Sequence, residues 1–440
     1  MKARELALRV LKEVEQKQGY ANLVLEQALK QIDGEMEQKE RALATELTYG
    51  TLRRLNSLDW ILEQFMSKGL AKQTFWLRNI LRLALYQIYY LDKIPDFAAV
   101  NEAVQQAKKH ANPGAAKFVN GVLRNIIRQK DELSFPRQNP EEFLALEYSH
   151  PLWLVRRWIG QFGWEEAETL CRANNQTARL TLRTNTLKIN RAGLLKELEK
   201  EGWQVQAASY APEGIIVQKA LTPLAELSAF KQGWFQVQSE SSMLAALALA
   251  PELGSRVLDL AAAPGGKTTH LAQIMQNQGE IWALDIYEHK LALLEANCRR
   301  LGISCVHSLL QDATSLPWKE EFDYILADLP CSGLGVLRHR PEARWYKSEK
   351  QIQELTGLQR KILEQAVKAL KPGGVLVYST CTISPEENQE QIAGLLRDYP
   401  FLKEEVLPLS WAAEQSQIQL LPHVQGTDGF FIARIKKGIG

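Results

Sequence analysis

Apolar residues recur at spacings of three and four from Ala3 to about Arg128, first as Leu6, Val10, Leu11 and Val14, then as Leu25, Ala28 and Leu29. The rhythm continues through Leu58, Ile61, Leu62, Phe65, Trp76, Ile80, Leu83, Leu85 and Tyr89. Turn signals interrupt it at Ile32-Asp33-Gly34, Ser67-Lys68-Gly69, Ile94-Pro95-Asp96 and Asn112-Pro113-Gly114, which predicts an all-α bundle of several short helices. Residues 136–140 read as a linker, and a Trp-rich helix carrying Arg156, Arg157 and Trp158 follows. From Cys171 the period shortens to short alternating strands: 180–185, 214–219 and 234–237, with a helix at about 191–201. From about Ser239 helices alternate with apolar strands at 256–260, 280–284, 304–308, 322–327 and 374–378. Such alternation is the signature of a doubly wound parallel sheet. The expected chain is therefore multidomain: an all-α domain over 1–140, a linker helix with a small α/β module over 141–238, and a Rossmann-type α/β domain over 239–440.

Composition agrees with this division. A chain of 440 residues with 45% hydrophobic content buries more than one core. No apolar run approaches the roughly 20 residues of a membrane helix, and residues 1–6 open an amphipathic segment rather than a secretion signal, so a cytoplasmic protein is expected. The five cysteines (Cys171, Cys298, Cys305, Cys331, Cys381) show no metal-ligand spacing; reduced thiols and no metal are expected. No coiled-coil heptad demands a partner copy, and a monomer is expected. Net charge is only +2, yet residues 68–130 hold 11 Lys or Arg against 3 Asp or Glu, a local surface able to track a phosphate backbone.

Candidate chemistry gathers at strand ends, where open α/β sheets bind ligands. Asp328-Leu329-Pro330-Cys331-Ser332-Gly333 follows one apolar strand and Ser379-Thr380-Cys381-Thr382 follows another, so two thiols and a carboxylate lie just past two strand ends. That set suits thiolate addition to a flat electrophilic ring; taken singly, each cysteine reads better as a buried inert one. Asp259-Leu260-Ala261-Ala262-Ala263-Pro264-Gly265-Gly266-Lys267-Thr268-Thr269 follows the first strand of this domain and opens a helix. It matches neither GxGxxG nor the phosphate-binding loop, but its small residues let a ligand lie against a helix amino terminus, where free amides favour a carboxylate. Asp285, 26 residues after Asp259, stands where such folds hold a ribose, though either carboxylate could instead cap a helix, and Asp312 suits an adenine amino group. Three acidic positions in register point to a nucleoside cofactor such as S-adenosylmethionine. Arg338-His339-Arg340-Pro341-Glu342-Ala343-Arg344-Trp345 mixes cations with an aromatic, which suits single-stranded RNA through Arg338 and Arg344; Arg183 of the small module is a further candidate contact.

In this order the motifs resemble the RsmB/Sun (Fmu) family of ribosomal RNA cytosine-5 methyltransferases. The amino-terminal segments Arg4-Glu5-Leu6-Ala7, Glu46-Leu47-Thr48-Tyr49-Gly50-Thr51-Leu52-Arg53 and Phe118-Val119-Asn120-Gly121-Val122-Leu123-Arg124 resemble the NusB-like RNA-binding domain. The chain departs from the family at Ala261, where many relatives have Cys, and at Gln238-Ser239-Glu240-Ser241, where a Gln-Asp start is usual. The resemblance implies a cytosine in small-subunit ribosomal RNA as substrate and S-adenosylmethionine as donor, held by residues 261–267 (Ala261, Ala262, Ala263, Pro264, Gly265, Gly266, Lys267), Asp285, Asp312 and Asp328. It also implies Cys381 as the nucleophile, Cys331 as the releasing residue, and Asp328 paired with Lys267 beside the base; the small module is expected to be RRM-like. Transfer RNA as substrate, or a non-catalytic RNA-binding assembly factor, are the alternatives the residues leave open.

Overall fold

The computed structural model describes residues 2–32, 36–412 and 414–439. Asp33 and Gly34, the heart of the first expected turn, lie outside the described residues. Two compact units emerge: one comprises residues 1–176 with 337–346, the other 177–336 with 347–440.

The first unit is helical: α1 (Ala3–Lys17), α2 (Ala21–Lys30), α3 (Gln38–Arg53), α4 (Leu55–Gln64), α5 (Phe75–Tyr90), α6 (Asp96–His110), α7 (Pro113–Arg128), α8 (Pro140–Glu147), α9 (Leu152–Phe162) and α10 (Trp164–Asn174). The apolar stripe read from the sequence is its core, with Leu6, Leu11, Val14, Leu47, Leu58, Ile80 and Leu85 essentially inaccessible. Local chemistry sets the starts: Thr74 caps α5 through Leu77 N at 3.3 Å, and Asn112 caps α7 through Ala115 N at 2.9 Å with Pro113 in the first turn. The expected boundary at 140 differs. Helix α8 is fastened to α4, where Ser57 Oγ donates to Leu146 O at 2.5 Å and Asn56 Nδ2 to Ala145 O at 3.1 Å, so α8 to α10 belong to the helical unit.

The second unit holds two sheets. The smaller is antiparallel, built from β1 (Leu180–Thr184), β2 (Gln204–Ala207), β3 (Gly214–Lys219) and β4 (Phe235–Val237) in the order β2-β3-β1-β4. Its core comprises Leu182, Leu194, Leu198, Trp203, Ile215 and Phe235. The larger contains β5 (Arg256–Asp259), β6 (Glu280–Asp285), β7 (Val306–Leu310), β8 (Phe322–Asp328), β9 (Leu370–Thr380), β10 (Leu402–Glu404), β11 (Gln417–Leu420) and β12 (Phe430–Lys437). Its order is β10-β12-β9-β8-β5-β6-β7, with β11 on β12. Strands β5 to β9 pair in parallel, as the alternation predicted, whereas β10, β11 and β12 add an antiparallel edge, so the sheet is mixed. Helices bury both faces. On β9, Val375 and Val377 enter one core while Leu376 and Tyr378 enter the other, which is why that strand reads as a continuous apolar run.

Candidate active site

Strands β8 and β9 are neighbours in parallel register, Asp328 opposite Ser379. Each ends in a loop carrying a cysteine, and adjacency therefore delivers both thiols to one place: Cys331 Sγ and Cys381 Sγ are 3.3 Å apart, both half-buried. No disulfide joins them at that distance. Contact with Cys381, then burial, then the negative charge of Glu387, hold the Cys331 thiol well above the ordinary cysteine range.

Asp328 lies beside them and is fixed from two sides. Lys267 Nζ sits 2.6 Å from Oδ2, and Ser379 Oγ donates to Oδ1 at 2.8 Å. Each carboxylate oxygen keeps a second lone pair for a ligand donor. The Lys267 ammonium also stands 5.3 Å from the Phe430 ring centroid, on the antiparallel β12 that the sequence reading did not foresee.

Lys267 belongs to the helix Gly266–Ile274, whose preceding residue, Gly265, has φ +99°, a left-handed conformation that side chains rarely adopt. This turn after β5 opens a cavity of 240 Å³ lined by Gln238, Ser242, Asp259, residues 261–264, Gly266, Lys267 and Asp328. Asp259 is 1% exposed; Oδ2 accepts from Thr268 Oγ1 at 2.7 Å, while Oδ1 has no hydrogen-bond partner. Burial pushes its carboxyl up to about 7. An unpartnered buried oxygen in a cavity of small residues at a helix amino terminus fits the amino-acid end of a nucleoside cofactor, whose ammonium Asp259 would hold. Asp285 and Asp312 end the next two strand units but do not line this cavity. Asp285 Oδ1 accepts from Tyr287 N at 2.9 Å. Asp312 is exposed, and the amide of Thr314 lowers its carboxyl below the usual range.

The three arginines expected to face RNA are placed otherwise. Arg183 is wholly buried: Nε donates to Gln273 Oε1 at 3.0 Å, Nη2 to Thr269 Oγ1 at 2.8 Å, and Nη1 to both Gln238 Oε1 and Gly266 O. It braces the start of the Gly266–Ile274 helix and has no face left for a phosphate. Arg344 is equally buried, and donates to Ser149 O at 3.0 Å, Asn175 Oδ1 at 2.9 Å and Asn174 O at 3.1 Å within the helical unit. Arg338 is 7% exposed. The surface role read for these residues is thus corrected, because the sequence gives their charge but not their burial.

Sequence reasoning also assigned no role to residues that assemble the thiol loops. Ser332 and Thr382, each directly after a cysteine, face one another at 2.7 Å between hydroxyls. Glu387 takes Ser332 N at 2.7 Å on Oε1 and the Ser332 hydroxyl on Oε2. All three stand in the two stretches, 328–333 and 379–388, that carry the family resemblance, but no chemistry was read from them singly. Among the described residues no cluster of His, Cys, Asp or Glu could hold a metal, and no helix is long and apolar enough to cross a membrane.

Comparison with known proteins agrees with this geometry. Residues 246–436 match the family described as 16S rRNA methyltransferase RsmB/F, residues 1–128 the NusB family, and residues 150–223 a ferredoxin-like domain of RsmF/B-like methyltransferases. The chain is 40% identical to a probable ribosomal RNA small subunit methyltransferase B of Bacillus subtilis, over 99% of this chain and 98% of the relative. A protein of the same description from Synechocystis is 36% identical, with 99% of each covered. Among solved structures, PH0851 superposes with a TM-score of 0.85 at 30% identity over 99% of both chains. NSun6 from Pyrococcus horikoshii with SFG superposes at 0.60 and 30% identity, over 66% of this chain and 98% of that one.

Proposed function

The chain belongs to the RsmB/F family of 16S rRNA methyltransferases with a NusB domain, and on that premise we propose that it methylates carbon 5 of a cytosine in small-subunit ribosomal RNA, through a covalent adduct with Cys381 and with S-adenosylmethionine as donor. The observation that supports the reading most is the 3.3 Å contact of Cys331 and Cys381 beside Asp328. A methyltransferase acting on an already nucleophilic atom has no use for two such thiols.

Carbon 5 of cytosine is a poor nucleophile. The Cys381 thiolate adds to carbon 6; a carbon–sulfur bond forms, and the electron pair of the 5,6 double bond moves to carbon 5 and into the ring. Asp328, steadied by Lys267 and Ser379, accepts from the amino edge of the base and keeps it in place, while Lys267 offsets the charge that develops. When bound, S-adenosylmethionine supplies the electrophilic sulfonium methyl that the electron-rich carbon 5 accepts. Conversion of Cys381 to a thioether removes the largest of the influences that hold the Cys331 thiol up, leaving burial and Glu387, and Cys331 then gives its proton to solvent. Its thiolate then takes the carbon 5 proton, the 5,6 double bond re-forms, and the carbon 6–sulfur bond breaks to return Cys381 as thiolate. Asp259, the small residues 261–266 and Lys267 would hold the amino-acid end of the donor, and Asp285 and Asp312 its nucleoside end.

The test incubates wild type, Cys331→Ala and Cys381→Ala with small-subunit ribosomal RNA and S-adenosylmethionine, then looks for denaturation-resistant adducts and for 5-methylcytosine. Cys331→Ala is expected to accumulate adduct and Cys381→Ala to form none. The reverse pattern exchanges their roles, and neither adduct nor methylation from wild type sinks the reading.

A further inference from the structure

We propose that Glu387 is a positioning residue for the two thiols, clamping the Cys331 loop onto the Cys381 loop and reserving the thiolate for Cys381. The inference rests on the covalent reading above and adds a residue to it.

Glu387 lies six residues after Cys381, in the one-turn 3-10 helix Pro385–Glu387, and is fully buried. A buried carboxylate is costly unless every oxygen is occupied. Here the occupants come from the other loop: Ser332 N at 2.7 Å and the Ser332 hydroxyl, together with Gln359 Nε2 at 3.2 Å. Gln359 donates also to Pro330 O at 2.9 Å, so residues on both sides of Cys331 are tied to one carboxylate. The clamp is anchored in turn, because Tyr378 of β9 donates its hydroxyl to Glu387 O at 2.5 Å. Between the loops, Thr382 and Ser332 meet at 2.7 Å, while Gly335 N donates to Cys381 O at 3.0 Å. Sulfur contact and hydroxyl contact are thus two rungs of one ladder, and Glu387 closes its end.

Charge adds direction to this geometry. Cys331 is faced by Cys381, by Glu387 and by Tyr378, with Asp328 further along the same strand end. A negative group on the Cys331 side disfavours a second negative charge there. The state that begins the reaction has the proton of the singly ionised pair on Cys331, and a negative Glu387 on that side favours it.

Two readouts separate this proposal from the reading it rests on. The first needs neither RNA nor donor: iodoacetamide alkylation of the full chain, followed by peptide mass spectrometry, gives the ratio of rates at Cys381 and Cys331. Wild type is expected to react first at Cys381; Glu387→Gln, which keeps the shape and loses the charge, is expected to lower that ratio about tenfold, and Glu387→Asp to restore most of it. The second is single-turnover methylation, where Glu387→Ala is expected to slow the rate about 100-fold with RNA affinity unchanged, because an ångström of misplacement costs that much. Should Glu387→Ala fail to fold, Glu387→Gln and Ser332→Ala decide. If wild type methylates but the folded variants keep both ratio and rate within about twofold, or wild type shows no preference between the sulfurs, the role of Glu387 falls. Absence of wild-type adduct and methylation with the alkylation order intact strikes the covalent reading and leaves the clamp standing.

Discussion

At the scale of the residue, Asp259 concentrates the site's electrostatics. Its carboxyl, raised by burial to about 7 from 3.8, binds a proton in the folded chain that the unfolded chain has already lost. Between about pH 4 and 7 the folded state therefore holds more protons, and stability falls as pH rises, by up to roughly 4 kcal/mol from this group. Asp259→Asn removes the proton exchange, so the difference in unfolding free energy between variant and wild type is expected to grow from pH 4 to 7 and level off above. Denaturant titrations of the ligand-free protein across that range check it; a difference independent of pH would show that the carboxyl titrates normally. Donor binding follows the same sign. Only the ionised carboxylate pairs with an ammonium, so S-adenosylmethionine affinity is expected to rise about tenfold per pH unit up to 7, with proton release measurable by calorimetry in buffers of different ionisation enthalpy. The chemistry of such residues was legible in the sequence because it demands fixed residue types after strand ends: cysteine, aspartate, lysine, small residues. What was not legible was the second partner of each group, Ser379 on Asp328 or Glu387 on Ser332, since serine and glutamate are common and only register brings them in.

At the scale of the element, legibility followed hydrophobic continuity. Strands β5, β6, β8 and β9, buried on both faces, read as apolar runs and fell close to where they were expected. Antiparallel strands of both sheets did not: β10 is three residues long with only Leu402 buried, β2 of the smaller sheet is almost wholly exposed, and β12 mixes Arg434, Lys436 and Lys437 into its run. Arg183 belongs to this class of misreading, a charge on a five-residue strand whose neighbours look like a half-solvated ladder. Its real partners lie 55 to 90 residues away, Gln238 and three residues of the Gly266–Ile274 helix, and no local pattern encodes them. Arg183→Met keeps the stem and deletes five donors, stranding Gln273 Oε1 and Gln238 Oε1. A loss of about 2–4 kcal/mol in stability and a weaker grip on S-adenosylmethionine are expected, while RNA affinity and its salt slope stay as in wild type. A flattened salt slope instead would return Arg183 to the RNA surface.

At the scale of the whole molecule, the passage from an all-helical to an α/β fold was legible as a change of period, but not the fact that one unit is discontinuous in sequence. Residues 337–346 follow the Cys331 loop by a few residues and yet belong to the helical unit. Sequence reading took the charge and aromatics of this stretch for an RNA surface, because a buried tie and an exposed contact use the same residues. The tie is specific: Glu342 accepts from Ala21 N at 3.1 Å, Arg344 donates to Ser149 O and Asn174 O, Trp345 Nε1 to Leu52 O at 2.8 Å, and Tyr346 hydroxyl to Val14 O at 3.0 Å. Stranded carbonyls cost about 1–3 kcal/mol each, so Arg344→Ala with Trp345→Ala is expected to remove several kcal/mol from the opening free energy of the helical unit. Hydrogen exchange on the full chain localises the effect: amides around Leu52, Ser149 and Asn174 lose protection, and those of β5, β8 and β9 keep theirs. Equal loss in both units would mean that they unfold together, and no loss around Leu52 and Asn174 would mean that the segment is not a tie. Because Lys117, Arg124 and Arg128 remain exposed on α7, the double variant is also expected to retain the salt dependence of RNA binding; a flattened dependence would instead put that binding on the stretch after the Cys331 loop.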